Sequence, residues 1–136
     1  MGLLIDSSLF IAAERGHLSI ERVIAGQEDE PLALSAVTAS ELLHGVYRAA
    51  DPARRLRREQ FVEAILRQFP VVEFDLEAAR IHARLWAQLA ADGKQIGAHD
   101  LLIAATAIAL DFQVATADAR DFPQIPDLRF QLWRRS

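Results

Sequence analysis

Asp6, Glu41, Asp100 and Asp118 each stand where an apolar run meets a small polar step, and they are the residues best placed to do chemistry in this chain. Asp6 closes Gly2-Leu3-Leu4-Ile5, and Asp118 follows Gln113-Val114-Ala115-Thr116. Glu41 and Asp100 lie at the openings of helical stretches. In a right-handed α/β topology all four fall at the carboxyl edge of a parallel sheet, where such proteins bind ligands. Two like charges roughly 4 Å apart repel by about 4 kcal/mol at an effective dielectric near 20. Four gathered carboxylates would exceed the net stability of a typical domain. Either some hold protons or a cation holds them together. Oxygen donors in a chain without cysteine suit a hard divalent ion, Mg²⁺ or Mn²⁺. Such an ion keeps waters and accepts substrate phosphate oxygens, which suits metal-assisted hydrolysis of a phosphodiester.

Each acid also has an ordinary structural use. Asp6 is a good helix N-cap. Thr38-Ala39-Ser40-Glu41 fits a capping box, with the glutamate reaching back to the cap. Asp100, in a first helical turn, is favoured there by the macrodipole. Asp118 can open a turn, and Asp121 reads as a rim residue. The case for chemistry is therefore the set, not any member. His99, beside Asp100, reads as a supporting neighbour. Arg54, Arg55, Arg57 and Arg58 form the densest basic run. They are a solvated helix face, a contact to a phosphate backbone, or a docking surface for a partner.

The elements that must position these residues follow from punctuation and periodicity. Residues 2–5 read as a strand and 8–15 as a short helix stopped by Gly16. A second short helix is expected over 19–25. Leu32 to Ser35 is a brief strand, followed by a helix from Thr38 to Ala49. Asp51-Pro52 restarts a helix that Pro70 ends after Phe69. Val71 to Phe74 is a third strand. Asp75 caps a helix from Leu76 to Ala91, whose apolar face reads as Leu76, Ala79, Ala83, Trp86 and Ala90. His99 to Leu110 is apolar on nearly all sides and so expected to be buried. Gln113 to Thr116 is a fourth strand, 118–126 an irregular turn, and Arg129 to Trp133 an edge strand. Leu85 and both tryptophans, Trp86 and Trp133, read as packing residues.

The whole chain, 1–136, reads as one α/β domain, since strands alternate with helical stretches and no linker divides it. The formal charge of −4 argues against coating nucleic acid by bulk electrostatics. Lys94 is the only lysine, so the positive charge is nearly all arginine. No basic leader precedes the first strand and no run approaches the roughly 20 apolar residues of a spanning helix, so a cytoplasmic chain with no membrane contact is expected. Glu14…His17 and Glu41…His44 match the spacing of di-iron bundles, but the strand signals contradict a four-helix bundle. A phospho-acceptor receiver domain would need paired acids after the first strand, where Ser7 stands, and a lysine elsewhere than position 94. A non-catalytic binding module is the remaining alternative, and the presence of all four acids argues against it.

Leu4-Ile5-Asp6-Ser7-Ser8, Thr38-Ala39-Ser40-Glu41-Leu42, His99-Asp100-Leu101-Leu102-Ile103-Ala104-Ala105 and Thr116-Ala117-Asp118-Ala119-Arg120-Asp121-Phe122 together resemble the four acidic motifs of PIN-domain ribonucleases, most closely the VapC toxins of bacterial toxin–antitoxin pairs. The resemblance implies a five-stranded parallel sheet flanked by helices, an Mg²⁺ or Mn²⁺ site, an RNA substrate and a VapB-type antitoxin. It also implies a homodimer, with a higher oligomer when the antitoxin is bound. It maps Asp6, Glu41 and Asp100 onto the three most dependable acids and Asp118 onto the more variable fourth. Ser8 matches a small polar position beside the first acid, and Thr116 the threonine before the fourth. Ser7 departs from the usual threonine, and the last motif offers both Asp118 and Asp121.

Overall fold

The computed structural model describes residues 2–16, 19, 21, 25–26 and 29–133. In chain order these form β1 (Leu3–Ile5), α1 (Ser7–Glu14), β2 (Leu32–Ser35), α2 (Ala36–Tyr47), α3 (Pro52–Gln68), β3 (Val71–Val72), α4 (Leu76–Ala91), α5 (Ala98–Leu110), β4 (Gln113–Thr116), a short 3₁₀ turn (Phe122–Gln124) and β5 (Phe130–Leu132). The five strands make one sheet in the order β3-β2-β1-β4-β5, every neighbouring pair parallel. β1 is central: Leu3 pairs with Leu32 on one side and with Gln113 on the other. The chain leaves β1 toward β2 and returns on the opposite side as β4, so a topological switch point opens at the carboxyl end of β1. That is where a crevice forms in such sheets.

Alternate side chains on each strand serve opposite faces, as the pleat requires. Leu4, Ala33 and Val114 pack with Leu85, Leu89, Leu101 and Ile103 beneath α4 and α5. Ile5, Leu34 and Ala115 pack with Leu9, Phe10, Leu42, Val46, Val62 and Ile65 beneath α1, α2 and α3. Phe10 meets Phe69 edge-on in this second layer, ring centroids 5.7 Å apart. α5 is buried on most sides, as its composition predicts, with Ile103, Ala104, Ala105 and Ala107 fully enclosed. Among the described residues no helix is long and apolar enough to cross a membrane.

The local chemistry differs from the sequence expectation in three places. α2 begins two residues earlier than the motif suggests. Its cap is Ser35, whose hydroxyl accepts from the Thr38 amide at 3.0 Å, so Thr38 is not a cap and Glu41 is not part of a capping box. In α4 the buried residues are Ala78, Leu85 and Leu89, while Leu76, Ala83, Trp86 and Ala90 are exposed. Two stripes compete on that helix, and the one with the leucines buries more apolar surface than the alanine-rich one. Trp86 is accordingly not a packing residue but an exposed one, tilted against His82 at 5.6 Å. Trp133 does pack against the second core. β3 is shorter than expected. The helix expected over 19–25 lies largely outside the described residues.

Candidate active site

Asp6 follows the last residue of β1, and its amide still bonds to the Ala115 carbonyl at 2.8 Å, which locks it to the neighbouring strand. It occupies the N-cap position of α1 but makes no side-chain cap bond. Its Oδ2 instead accepts from the Ser8 hydroxyl at 2.7 Å and the Thr116 hydroxyl at 2.9 Å. Those hydroxyls are themselves fixed, since Ser8 Oγ accepts from the Ala117 amide and Thr116 Oγ1 from the Asp118 amide. Asp6 is therefore a buried carboxylate held in one orientation by two hydroxyls from two different elements. A serine two residues on and a threonine at the end of β4 are what the crossing of β1 and β4 brings together.

Glu41 comes from the second turn of α2, on the other side of β1. Ser7 donates to its Oε1 at 3.3 Å, and His99 Nδ1 lies 3.3 Å from its Oε2. α1 and α5 thus both reach the glutamate. Ser7 and His99 are the neighbours that orient it.

Asp100 enters in the first turn of α5, whose cap is Gly97. Burial is the largest influence on its carboxyl, followed by the charge of Asp6, the charge of Asp121 and a hydrogen bond with it, and the charge of Glu41; together they push its pKa up to about 7. Burial and neighbouring negative charge both disfavour its ionised form. Asp121 Oδ2 is tethered by the Gly97 amide at 2.9 Å. A Cβ on Gly97 would stand 3.1 Å from that same oxygen, so the glycine lets the two carboxylates sit side by side. Composition alone gives Gly97 no distinction; a glycine three residues before an acid at a helix opening was the available signal.

The structure thus brings Asp6, Glu41, Asp100 and Asp121 to one place. Asp118 is turned away: Arg120 takes its carboxylate through Nε at 3.1 Å and a terminal nitrogen at 3.0 Å. Of the two acids offered by the last motif, Asp121 meets Asp100 and Asp118 faces outward. The four arginines of α3 do not form one patch over the crevice. Arg54 is near Asp51, Arg55 donates to the Tyr47 carbonyl, and Arg57 is exposed. Arg58 is spent on Glu14 and on the Gly45 carbonyl.

Among the described residues no group of three or more acids or histidines is placed so that it could hold a metal ion. Mg²⁺ does not require such a group, because it binds through one or two carboxylates and retains several waters. The donors around Asp100 are all oxygen, the chemistry that suits a hard divalent ion, and the pKa of its carboxyl is raised by burial first and then by the charges of Asp6, Asp121 and Glu41.

A parallel sheet switching direction at β1, with carboxylates gathered over the switch, defines the PIN-domain class: the PIN domain family model matches residues 3–128, and the chain belongs to that family. Within it the chain is of the VapC type. It is 35% identical over 128 residues to Ribonuclease VapC of Rickettsia bellii, covering 94% of this chain and 93% of that protein. It is 30% identical over 102 residues to the tRNA(fMet)-specific endonuclease VapC of Salmonella typhimurium, 75% of each. The DNA-bound VapBC structure from Salmonella typhimurium superposes with a TM-score of 0.86 at 25% identity, covering 98% of both chains.

Proposed function

We propose that this chain is an endoribonuclease of the VapC type that hydrolyses RNA phosphodiester bonds with the help of a divalent cation and is held in check by a VapB-type antitoxin. The observation that carries the reading is the meeting of acids from separate elements at the carboxyl end of β1: Ser8 and Thr116 hold Asp6, Ser7 and His99 reach Glu41, and Asp121, tethered by the Gly97 amide, meets Asp100. Carboxylates kept in such company are matched to a cation. Membership of the VapC type supports the RNA substrate, and the VapBC complex among its structural neighbours supports the antitoxin partner. The tRNA named for the Salmonella relative makes tRNA the first substrate to test.

Asp6, Asp100 and Asp121 would hold the ion, with Glu41 reaching it directly or through water. A bound Mg²⁺ or Mn²⁺ supplies positive charge that polarises the scissile phosphate and acidifies a water. The chain's own residues do the rest. Ser8 and Thr116 fix Oδ2 of Asp6, so the donor is oriented before substrate arrives. Glu41, steadied by Ser7 and His99, is the carboxylate suited to accept the proton of the attacking water.

Asp6→Asn tests this. The variant should keep the fold, by far-UV circular dichroism, and lose cleavage of tRNA or of a single-stranded oligoribonucleotide in Mg²⁺ or Mn²⁺. Wild-type cleavage should stop in excess EDTA. Full activity in the variant, or in EDTA, would overturn the proposal.

A further inference from the structure

A pocket of about 210 Å³ lies between α1, α2 and α3, with Glu41 in its wall. Glu41, Gly45 and Arg48 form one wall, spaced so that they share a single helical stripe. Ile11, Glu14 and Arg15 of α1 and its end face them, and Arg58 and Phe61 of α3 close the far side. Arg48 lies seven residues beyond Glu41, about 10 Å along the helix axis at 1.5 Å per residue. The pocket therefore begins at one of the acids of the crevice and ends at cations.

The charges in it are unevenly answered. Glu14 is paired with Arg58 at 3.3 Å, and Arg58 also donates to the Gly45 carbonyl at 3.1 Å. The side chains of Arg15 and Arg48 have no hydrogen bond or ion pair among the described residues, their amides alone bonding to Ile11 and His44. Two guanidiniums without a partner among the described residues thus line a cleft that Glu41 also lines, in a chain whose net charge is −4. A polyanion approaching the acids meets two cationic side chains here, next to Glu41. Arginine presents a planar fork that matches phosphate oxygens. Gly45 adds no side chain to the stripe, so the path between Glu41 and Arg48 is open; a Cβ there would meet only Arg58 Cδ, at 3.7 Å.

From this geometry we infer that Arg15 and Arg48 form a subsite for the RNA phosphate adjacent to the scissile one, holding the strand along α2 while its neighbour lies over the acids. The inference rests on the nuclease reading above. It also relocates the basic contact from the arginine run of α3, where Arg58 serves as a clamp between helices, to two arginines that no sequence motif singles out.

The test is direct binding, which does not depend on turnover. Fluorescence anisotropy of a labelled single-stranded oligoribonucleotide is measured in EDTA across a salt series, with the full chain and with Arg15→Ala, Arg48→Ala, the double variant and Arg48→Lys. Removing both arginines should weaken binding about tenfold or more and flatten the dependence of log affinity on log salt by about one unit per arginine lost. Arg48→Lys should keep the salt slope of the parent, and melting curves should not change. Binding and slope in the double variant equal to those of the wild type, including no binding by either, overturn the inference. So does a double variant that keeps its RNA affinity but no longer binds the antitoxin, because the pocket would then serve a protein segment. Metal-dependent cleavage lost in Asp6→Asn but unaffected by the arginines sinks the subsite alone; arginine-dependent binding without cleavage sinks the nuclease reading alone.

Discussion

At the scale of single residues, the fourth acid is where sequence and structure part. Asp118 and Asp121 are three residues apart, and spacing favours neither. What separates them in the structure is their partners: Arg120, inside the same motif, pairs with Asp118, while the Gly97 amide, outside every motif, donates to Asp121. Asp121→Asn, which removes one of the carboxylates proposed to hold the ion, should therefore lower RNA cleavage by at least about 10–100-fold, the cost of disturbing even a partner of a metal-binding group. Asp118→Asn should cost far less. Cleavage rates of the two purified variants under identical Mg²⁺ decide it, and equal losses or the reverse order would return Asp118 to the site. Asp6, by contrast, was legible from its position after an apolar run. What could not be read was that its capping role would be given up, because Ser8 and Thr116 lie 108 residues apart and meet only through the pairing of β1 with β4.

Elements were read well where a punctuating residue marks them and poorly where two stripes compete. Asp51-Pro52 and Asp75 do cap α3 and α4, each accepting from an amide three residues on. Gly93 ends α4 in the left-handed region at φ 71°, its amide bonding to Ala90 and that of Lys94 to Leu89. The opening of α2 was misplaced because Ser35 ends a strand and caps a helix at once, and a serine at the end of an apolar run reads as strand alone. The same residue gives a stability prediction. Ser35 is 1% exposed, and its hydroxyl is the acceptor for the buried Thr38 amide. Ser35→Ala removes that acceptor and should destabilise the protein by about 1–2 kcal/mol. Urea unfolding should show a lower midpoint at unchanged slope. An unchanged midpoint would mean that another group satisfies the amide.

For the molecule as a whole, the sheet order brings a charge conflict to the centre of the fold, and the stability of the protein should report it. Asp100 has its ordinary pKa of 3.8 when unfolded and about 7 when folded. The folded state therefore binds more protons between those values. The contribution of this group is fully present below about 3.8 and is lost as pH rises through about 7, the reverse of a salt-bridged carboxylate. The loss grows from about pH 3.8 and is complete by about 7, so at pH 6, with Asp100 mostly protonated in the folded state, it is large but smaller than at pH 8, where Asp100 is ionised among Asp6, Asp121 and Glu41. Asp100→Asn, which cannot ionise, should melt higher than wild type at pH 8, with the gap narrowing at pH 6. Divalent cation should have the opposite leverage. It needs the ionised carboxylate, so Mg²⁺ or Mn²⁺ should raise the wild-type melting temperature more at pH 8 than at pH 6, and should do little for the asparagine variant. A ligand at about 100 times its dissociation constant contributes roughly 2.7 kcal/mol to the folded state, enough to read in a thermal scan. Differential scanning fluorimetry of both proteins, with and without metal at the two pH values, supplies the comparison. A wild type that melts as high as Asp100→Asn at pH 8 without metal would show that the acids do not share a repulsive site, and the case for a cation among them would go with it.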